Sequence, residues 1–334
     1  MRYDIVGCGA VVRLYHVPIL KLLRDRGEVT IVGCYDPSSS QARHIAAELG
    51  AERYGDSAEP HEGDGVDGAL IATPPELHAR IASEYIDAGK GVFVEKPLTV
   101  TSDEVRGLIQ RSEKNGVRVV VNQFWRFYPS VNIARRWLRN HLDEVISIEA
   151  TEGFRWDWAP ASNYVTENAY GGVIHDTGAH LIDMVIYLLG LDEDQGALSV
   201  DVTELAKTPQ REPSHECRAR LVLGASEDHR TEVELVITRL RPLGRGVKVR
   251  GTFGTLFVPT SFARAPILFQ GADALRLRGA EPTVEARDPD GCFLLTHLDF
   301  LSALRNADRP LRLDAQRFVL QLEILERLHG GAGK

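Results

Sequence analysis

Short apolar runs alternate with amphipathic stretches through the first third of the chain. Ile5-Val6, Val29–Val32, Ala69–Ile71, Val92–Val94 and Val117–Val121 are apolar at successive positions, as strands buried on both faces require. Between them, Val11–Arg26, Ser39–Leu49, Glu76–Ala88 and Ser102–Asn115 space their apolar residues as helices do. Gly27, Gly50, Gly89 and Gly116 follow these stretches, where a left-handed C-cap belongs. Repeated strand–helix–strand units close only by right-handed crossovers, so this part predicts a doubly wound parallel sheet of the Rossmann type.

After Asn122 the rhythm changes. A helix is expected over Ser130–Asn140, a strand over Val145–Thr151 and a long apolar helix over Gly172–Leu189. Glu216–Leu223, Thr231–Arg239, Val247–Val258 and Pro266–Phe269 are β-rich and have no helix between them, which predicts a mostly antiparallel sheet with one face covered. A last helix is expected over Asp314–Leu328. The organisation predicted is α/β: a dinucleotide-type domain over 1–122 and an α+β domain over 123–334.

Charge and composition narrow the function. With 334 residues, 43% hydrophobic, 26% charged and a net charge of -8, the chain reads as globular and lacks the cationic face that nucleic acid requires. Arg135, Arg136 and Arg139 cluster, but at the spacing of the wet side of a helix. The apolar run around Met184–Leu189 is too short to span a bilayer, and Arg2–Val6 runs straight into glycines instead of forming a leader, so a cytoplasmic location is expected. Cys8, Cys34, Cys217 and Cys292 are scattered, without metal-ligand spacing, and read as buried thiols.

Four segments carry candidate chemistry. Gly7-Cys8-Gly9-Ala10-Val11-Val12 lies between the first strand and its helix, where glycines let a pyrophosphate approach free backbone amides. Val12 stands where the usual fingerprint has Gly or Ala. Asp36 ends the second strand at the separation expected of a ribose-binding carboxylate, which favours NAD by repelling a 2′-phosphate; Arg43 keeps NADP open. The alternative for Asp36 is a helix-capping turn. Ala72-Thr73-Pro74-Pro75 follows a buried strand, with His78 set to orient the turn. Glu95-Lys96-Pro97 ends another strand, and Lys96 is either a surface lysine or a cation for a developing alkoxide. Finally, Asp176, His180 and Asp183 share a helical stripe, which serves either general acid/base work or a core helix's internal polar pairing. Hydride chemistry there needs no metal, and none is expected.

Taken in order, these segments resemble the Gfo/Idh/MocA oxidoreductases. The resemblance adds Arg13, His16 and Pro18 behind the glycines, Asn122 and Arg126-Phe127 after the fifth strand, and Gly251–Leu256 in the second domain. It implies that Lys96 bridges substrate and nicotinamide, that His180 is the general base, and that Asp176 contacts substrate or tunes the histidine. Gly7, Cys8, Gly9, Ala10, Val11 and Asp36 would hold the dinucleotide, with Thr73, Pro74, Glu95, Lys96 and Asn122 lining its nicotinamide half. A cis peptide at Lys96-Pro97 and a homodimer or homotetramer built on the second sheet are implied as well.

The segment Phe154–Tyr170 is rich in aromatic side chains suited to sugar rings, so Trp158 and Tyr164 are candidate substrate contacts; Arg155 and Arg126 are candidate anion ligands. Packing beneath a loop explains the same residues. The expected substrate is a sugar, sugar derivative or cyclitol. Two other functions fit the resemblance: an NAD-retaining glycosidase or epimerase, and a non-enzymatic dinucleotide sensor.

Overall fold

β1 (Arg2–Val6) is flanked by β2 (Thr30–Tyr35) and β4 (Gly68–Ile71), all parallel. With β3 (Arg53–Gly55), β5 (Gly91–Glu95) and β6 (Val119–Asn122) they make a six-stranded sheet ordered β3-β2-β1-β4-β5-β6. This order reverses direction at β1, and ligands of such sheets bind beyond the strands' C-terminal ends at that reversal. Helices α1 (Val17–Asp25), α2 (Ser39–Leu49), α3 (Pro75–Asp87) and α4 (Ser102–Asn115) connect the strands. The four predicted C-cap glycines all have left-handed φ, between 64° and 73°. α4 starts with a capping box in which Thr101 accepts from the Glu104 backbone.

The structure is a computed structural model that describes residues 1–330 apart from 61–62, 64, 157–163, 194–198, 210–212, 227–228, 261–266, 271–288 and 307. Contacts divide the chain into two compact units, Met1–Gln123 with Phe293–Val319, and Phe124–Cys292 with Leu320–Lys334. Residues 293–319 thus pack with the first unit, whereas the pattern of the sequence assigned everything after 122 to the second. Aromatic packing explains the return. Phe300 of α8 (Pro289–Arg305) stacks on Phe93 at 5.5 Å and meets Tyr3 edge-on at 5.9 Å. Val121 N–H also donates to the Leu313 carbonyl.

The second unit is built on a seven-stranded sheet ordered β13-β12-β11-β7-β10-β9-β8. Its strands are β7 (Val145–Gly153), β8 (Ser199–Thr208), β9 (Glu216–Ser226), β10 (His229–Thr238), β11 (Gly246–Gly251), β12 (Gly254–Pro259) and β13 (Leu268–Gln270). Every pairing is antiparallel except β7 with β10. Along β9, Cys217, Ala219, Leu221 and Leu223 are buried while Arg218 and Arg220 are exposed, the alternation of a sheet covered on one face. α5 (Pro129–Leu138), which follows a short turn, and α7 (Ala179–Leu189), which follows the four-residue α6 (Tyr164–Glu167), supply the cover. α9 (Val319–Gly330) ends the described chain.

Two predicted helices are not regular α-helices throughout. Val11–Arg26 opens with a π-helical turn at Val12–His16, and Gly172–Leu189 opens with another at Ile174–Gly178. In the first, Pro18 has no N–H to offer the Leu14 carbonyl, and the turn accommodates one extra residue. In the second, Gly178 N–H reaches back five residues to the Val173 carbonyl at 2.8 Å. Such turns concentrate at functional sites. All four cysteines are buried, free thiols. Among the described residues, no helix is long and apolar enough to cross a membrane.

Candidate cofactor and catalytic sites

In the first unit, the glycine turn leaves β1 between two neighbouring strand ends. Gly7 N–H donates to the Tyr35 carbonyl at 2.8 Å, and Ala72 N–H donates to the Val6 carbonyl at 2.7 Å. Gly7 has φ +91°, and a Cβ on it would sit 2.5 Å from the Ala72 carbonyl oxygen. A Cβ on Gly9 would meet nothing within 4 Å. One glycine therefore lets the chain turn, and the other leaves its outer side open to a ligand. Val12 is fully buried, so the β-branched residue in the third fingerprint position is accommodated inside the unit. Gly7→Ala should lower stability by about 1–3 kcal/mol through backbone strain alone. It should weaken NADH binding too, and a thermal melt with an NADH titration reads both. Unchanged values would contradict this account of the turn.

Asp36 follows β2, and its carboxylate joins two backbones. Oδ2 accepts from Cys8 N–H at 2.9 Å and Oδ1 from Ser38 N–H at 2.8 Å. The carboxylate is thus held against the glycine turn, and it also caps the turn that leads into α2. Arg43 lies over the Tyr54 ring, 5.5 Å from its centroid.

Thr73 and Pro74 follow β4, and Lys96 and Asn122 stand at the ends of β5 and β6 on the same edge of the sheet. His78 is buried, with its ring nitrogens 2.8 Å from the Thr73 carbonyl and 2.9 Å from the Pro97 carbonyl. It bridges the two turns, donating to one carbonyl when neutral, and burial pushes its pKa below the ordinary imidazole value despite both carbonyls. The Lys96-Pro97 peptide is cis. Glu95 is buried; its Oε1 accepts from Asn122 at 2.6 Å and from His16 at 2.7 Å. Thr73 Oγ1 and Asn122 Oδ1 are buried without a hydrogen-bond partner among the described residues. Buried polar atoms normally have partners, so two orphans on one sheet edge suit a polar ligand there. Together with the open Gly9, they fit a dinucleotide.

In the second unit, the His180 ring lies parallel to Trp125, with centroids 4.9 Å apart and planes 20° apart, and meets Phe124 edge-on at 5.2 Å. Two aromatic rings thereby set the plane of the imidazole. The sequence reading passed over Phe124 and Trp125; the signal was an aromatic run directly after a strand end. Asp176 lies in the π turn, whose extra residue offsets it from the regular stripe. Its carboxylate accepts from Arg239 at 2.6 Å, and the guanidinium of Arg239 is buried over Trp156 at 4.5 Å. Arg239, missed in the sequence, follows β10 and orients Asp176.

The candidate substrate residues fare differently. Arg126 is 1% exposed and is held by Asp183 at 2.5 Å and Asp192 at 3.0 Å. Burial disfavours its charge, but these carboxylates outweigh burial and keep it protonated. Its assignment as a substrate ligand is therefore corrected: the guanidinium is committed to the interior. Tyr164 donates its hydroxyl to the Tyr170 carbonyl at 2.7 Å and braces that loop. Arg155 is exposed, and Trp158 lies outside the described residues.

Known proteins share this fold. The chain is 27% identical over 324 residues to a scyllo-inositol 2-dehydrogenase (NAD(+)) of Bacillus subtilis, covering 94% of this chain and 89% of that one. Its fold matches a 3-ketoreductase of Actinomadura kijaniata solved with NADP and TDP-benzene, with a TM-score of 0.78, 18% identity, and 99% and 97% of the two chains covered. It also matches the WlbA dehydrogenase of Bordetella pertussis solved with NADH and UDP-GlcNAcA, with a TM-score of 0.76, 20% identity, and 99% and 96% covered. Residues 1–123 fit the family model described as an oxidoreductase family with an NAD-binding Rossmann fold.

Proposed function

We propose that this protein transfers a hydride between a nicotinamide cofactor and a secondary alcohol or ketone of a sugar, sugar derivative or cyclitol. One observation carries the reading: the Gly7 turn, Asp36, Thr73, Lys96 and Asn122 all stand at the C-terminal ends of adjacent parallel strands. That edge is where such sheets bind dinucleotides. The full-length likeness to an inositol dehydrogenase supports the substrate class.

Gly7, Cys8, Gly9, Ala10 and Val11 hold the pyrophosphate, Asp36 the adenosine ribose, and Thr73, Pro74, Glu95 and Asn122 the nicotinamide half. When bound, the nicotinamide supplies the hydride acceptor or donor. Lys96 steadies the substrate oxygen as negative charge builds on it. His180, with its ring plane set by Trp125 and Phe124, takes the hydroxyl proton during oxidation and returns it during reduction. Asp176, oriented by Arg239, hydrogen-bonds a neighbouring hydroxyl. The protein works in the cytoplasm as a homodimer or homotetramer formed through the second sheet, whose outer face includes the exposed Arg218, Arg220, Glu232 and Glu234.

A screen of sugars, cyclitols and nucleotide sugars, following nicotinamide absorbance with NAD and with NADP, tests the reading. Net reduction of the cofactor by at least one polyol is expected. NAD should be preferred, because a 2′-phosphate would face the Asp36 carboxylate. No absorbance change with any substrate, in either direction, would overturn the proposal.

A further inference from the structure

The π turn Val12–His16 ends on a fully buried imidazole. His16 Nε2 lies 2.7 Å from Glu95 Oε1, and His16 Nδ1 lies 2.9 Å from Nε2 of His297, which is 281 residues away in sequence. A carboxylate can only accept, so Nε2 of His16 donates to it. A neutral His16 ring must then accept at Nδ1, with the Nε2–H of His297 as the donor. This tautomer leaves His297 Nδ1 as a bare acceptor, and that atom has no partner among the described residues. Its surroundings suit a neutral ring: Phe93 meets His297 edge-on at 5.0 Å. Burial holds His297 well below the ordinary imidazole range.

At the other end of the chain of bonds, burial would raise the pKa of Glu95, but the bonds from His16 and Asn122 outweigh it and lower it. Oε1 takes His16 and the Asn122 carboxamide, and Oε2 takes the Lys96 backbone N–H at 3.1 Å. One buried carboxylate thus holds the Asn122 carboxamide and the Lys96 backbone, in two residues assigned above to the nicotinamide and the substrate oxygen. His297 touches neither Glu95 nor Lys96 in this chain of bonds. It lies on α8, outside every motif, with Phe293 and Phe300 on the same helical face.

We propose that His297 is a positioning residue: its Nε2–H fixes the tautomer of His16, and through it the Glu95 carboxylate that aligns Lys96 and Asn122. The effect on turnover rests on the oxidoreductase reading; the hydrogen-bond chain does not. A histidine that merely filled space would be replaced well by leucine. A donor would be replaced better by glutamine, whose amide reaches the position of Nε2.

The test compares His297→Leu and His297→Gln in the full chain, with NADH titrations, turnover on the best substrate of the screen, and nitrogen-15 imidazole spectra. His297→Leu should lower kcat about tenfold, the scale of leaving one buried acceptor unpaired. NADH affinity and KM should be largely kept, and His297→Gln should recover most of the loss. The wild-type spectrum should place the proton of both rings on Nε2. Equal impairment by Leu and Gln, wild-type kcat in the Leu variant, or a proton on Nδ1 of His16 would each overturn the proposal. If the wild-type protein moves no hydride at all, the oxidoreductase reading fails on its own. The imidazole spectrum still decides the hydrogen-bond chain in that case.

Discussion

Replacing Lys96 with alanine is expected to reduce turnover by about 10²–10³-fold, the usual consequence of removing one group that stabilises a developing oxyanion. NADH binding should survive, because in the proposed mode the Gly7 turn and Asp36, which Lys96 does not touch through these bonds, would hold the pyrophosphate and ribose. His180→Ala should cost about 10²–10⁴-fold, the range for a lost general base. The two residues lie in different units of the chain, which makes the double variant informative. Groups that serve one reacting hydroxyl do not act additively, so the double variant should lose far less than the product of the single losses. Additive losses would mean that Lys96 and His180 serve separate functions. Near-wild-type turnover in both single variants would remove both from the chemistry.

A second large effect is expected in the interior of the second unit. Arg126→Ala should destabilise the protein by about 3–5 kcal/mol, the cost of breaking a buried ion pair from one side. Asp183 is 1% exposed, and its hydrogen bonds among the described residues all come from Arg126. Asp192 fares better because Arg135 still reaches it at 2.7 Å. Removing both charges as Arg126→Met with Asp183→Leu should therefore cost less than removing the cation alone. Urea unfolding of the three proteins measures this directly. If the single variant unfolds at the wild-type midpoint, the ion pair is not structural, and Arg126 returns as a candidate substrate ligand.

Much of the first unit was legible because its strands are buried on both faces and its helices stop at glycines. Apolar runs such as Val92–Val94 and caps such as Gly116 have few other readings. What escaped was low in contrast. β8 is an edge strand with charged residues at several positions, and its pattern is weak. Val247–Val258 reads as one β-rich run, yet the chain reverses between Gly251 and Gly254 to make two strands. α8 is apolar on several sides, which blurs the helical period that would have revealed it.

The candidate site was proposed from its glycines, its lysine and its helix histidine, because spacing along a strand end or a helix marks them. Its supports were not. His297 reaches Glu95 only through His16, and Arg239 reaches Asp176 across 63 residues of sequence. Arg126 shows the converse. An arginine beside aromatic residues suggests an anion site, and only the folded chain brings Asp183 and Asp192 to neutralise it. Local pattern carries the groups that face a ligand, whereas the groups that hold them come from distant segments.

The central claim is that hydrogen moves from a substrate carbon to the cofactor. It is tested most directly with a polyol from the active set, deuterated at its carbinol carbons, incubated with NAD and the wild-type protein. Mass spectrometry of the reduced cofactor should find the deuterium on C4 of the nicotinamide, in a primary-isotope-sensitive reaction. Deuterium that stays in the sugar product or washes into water, with no reduced cofactor formed, would contradict the account.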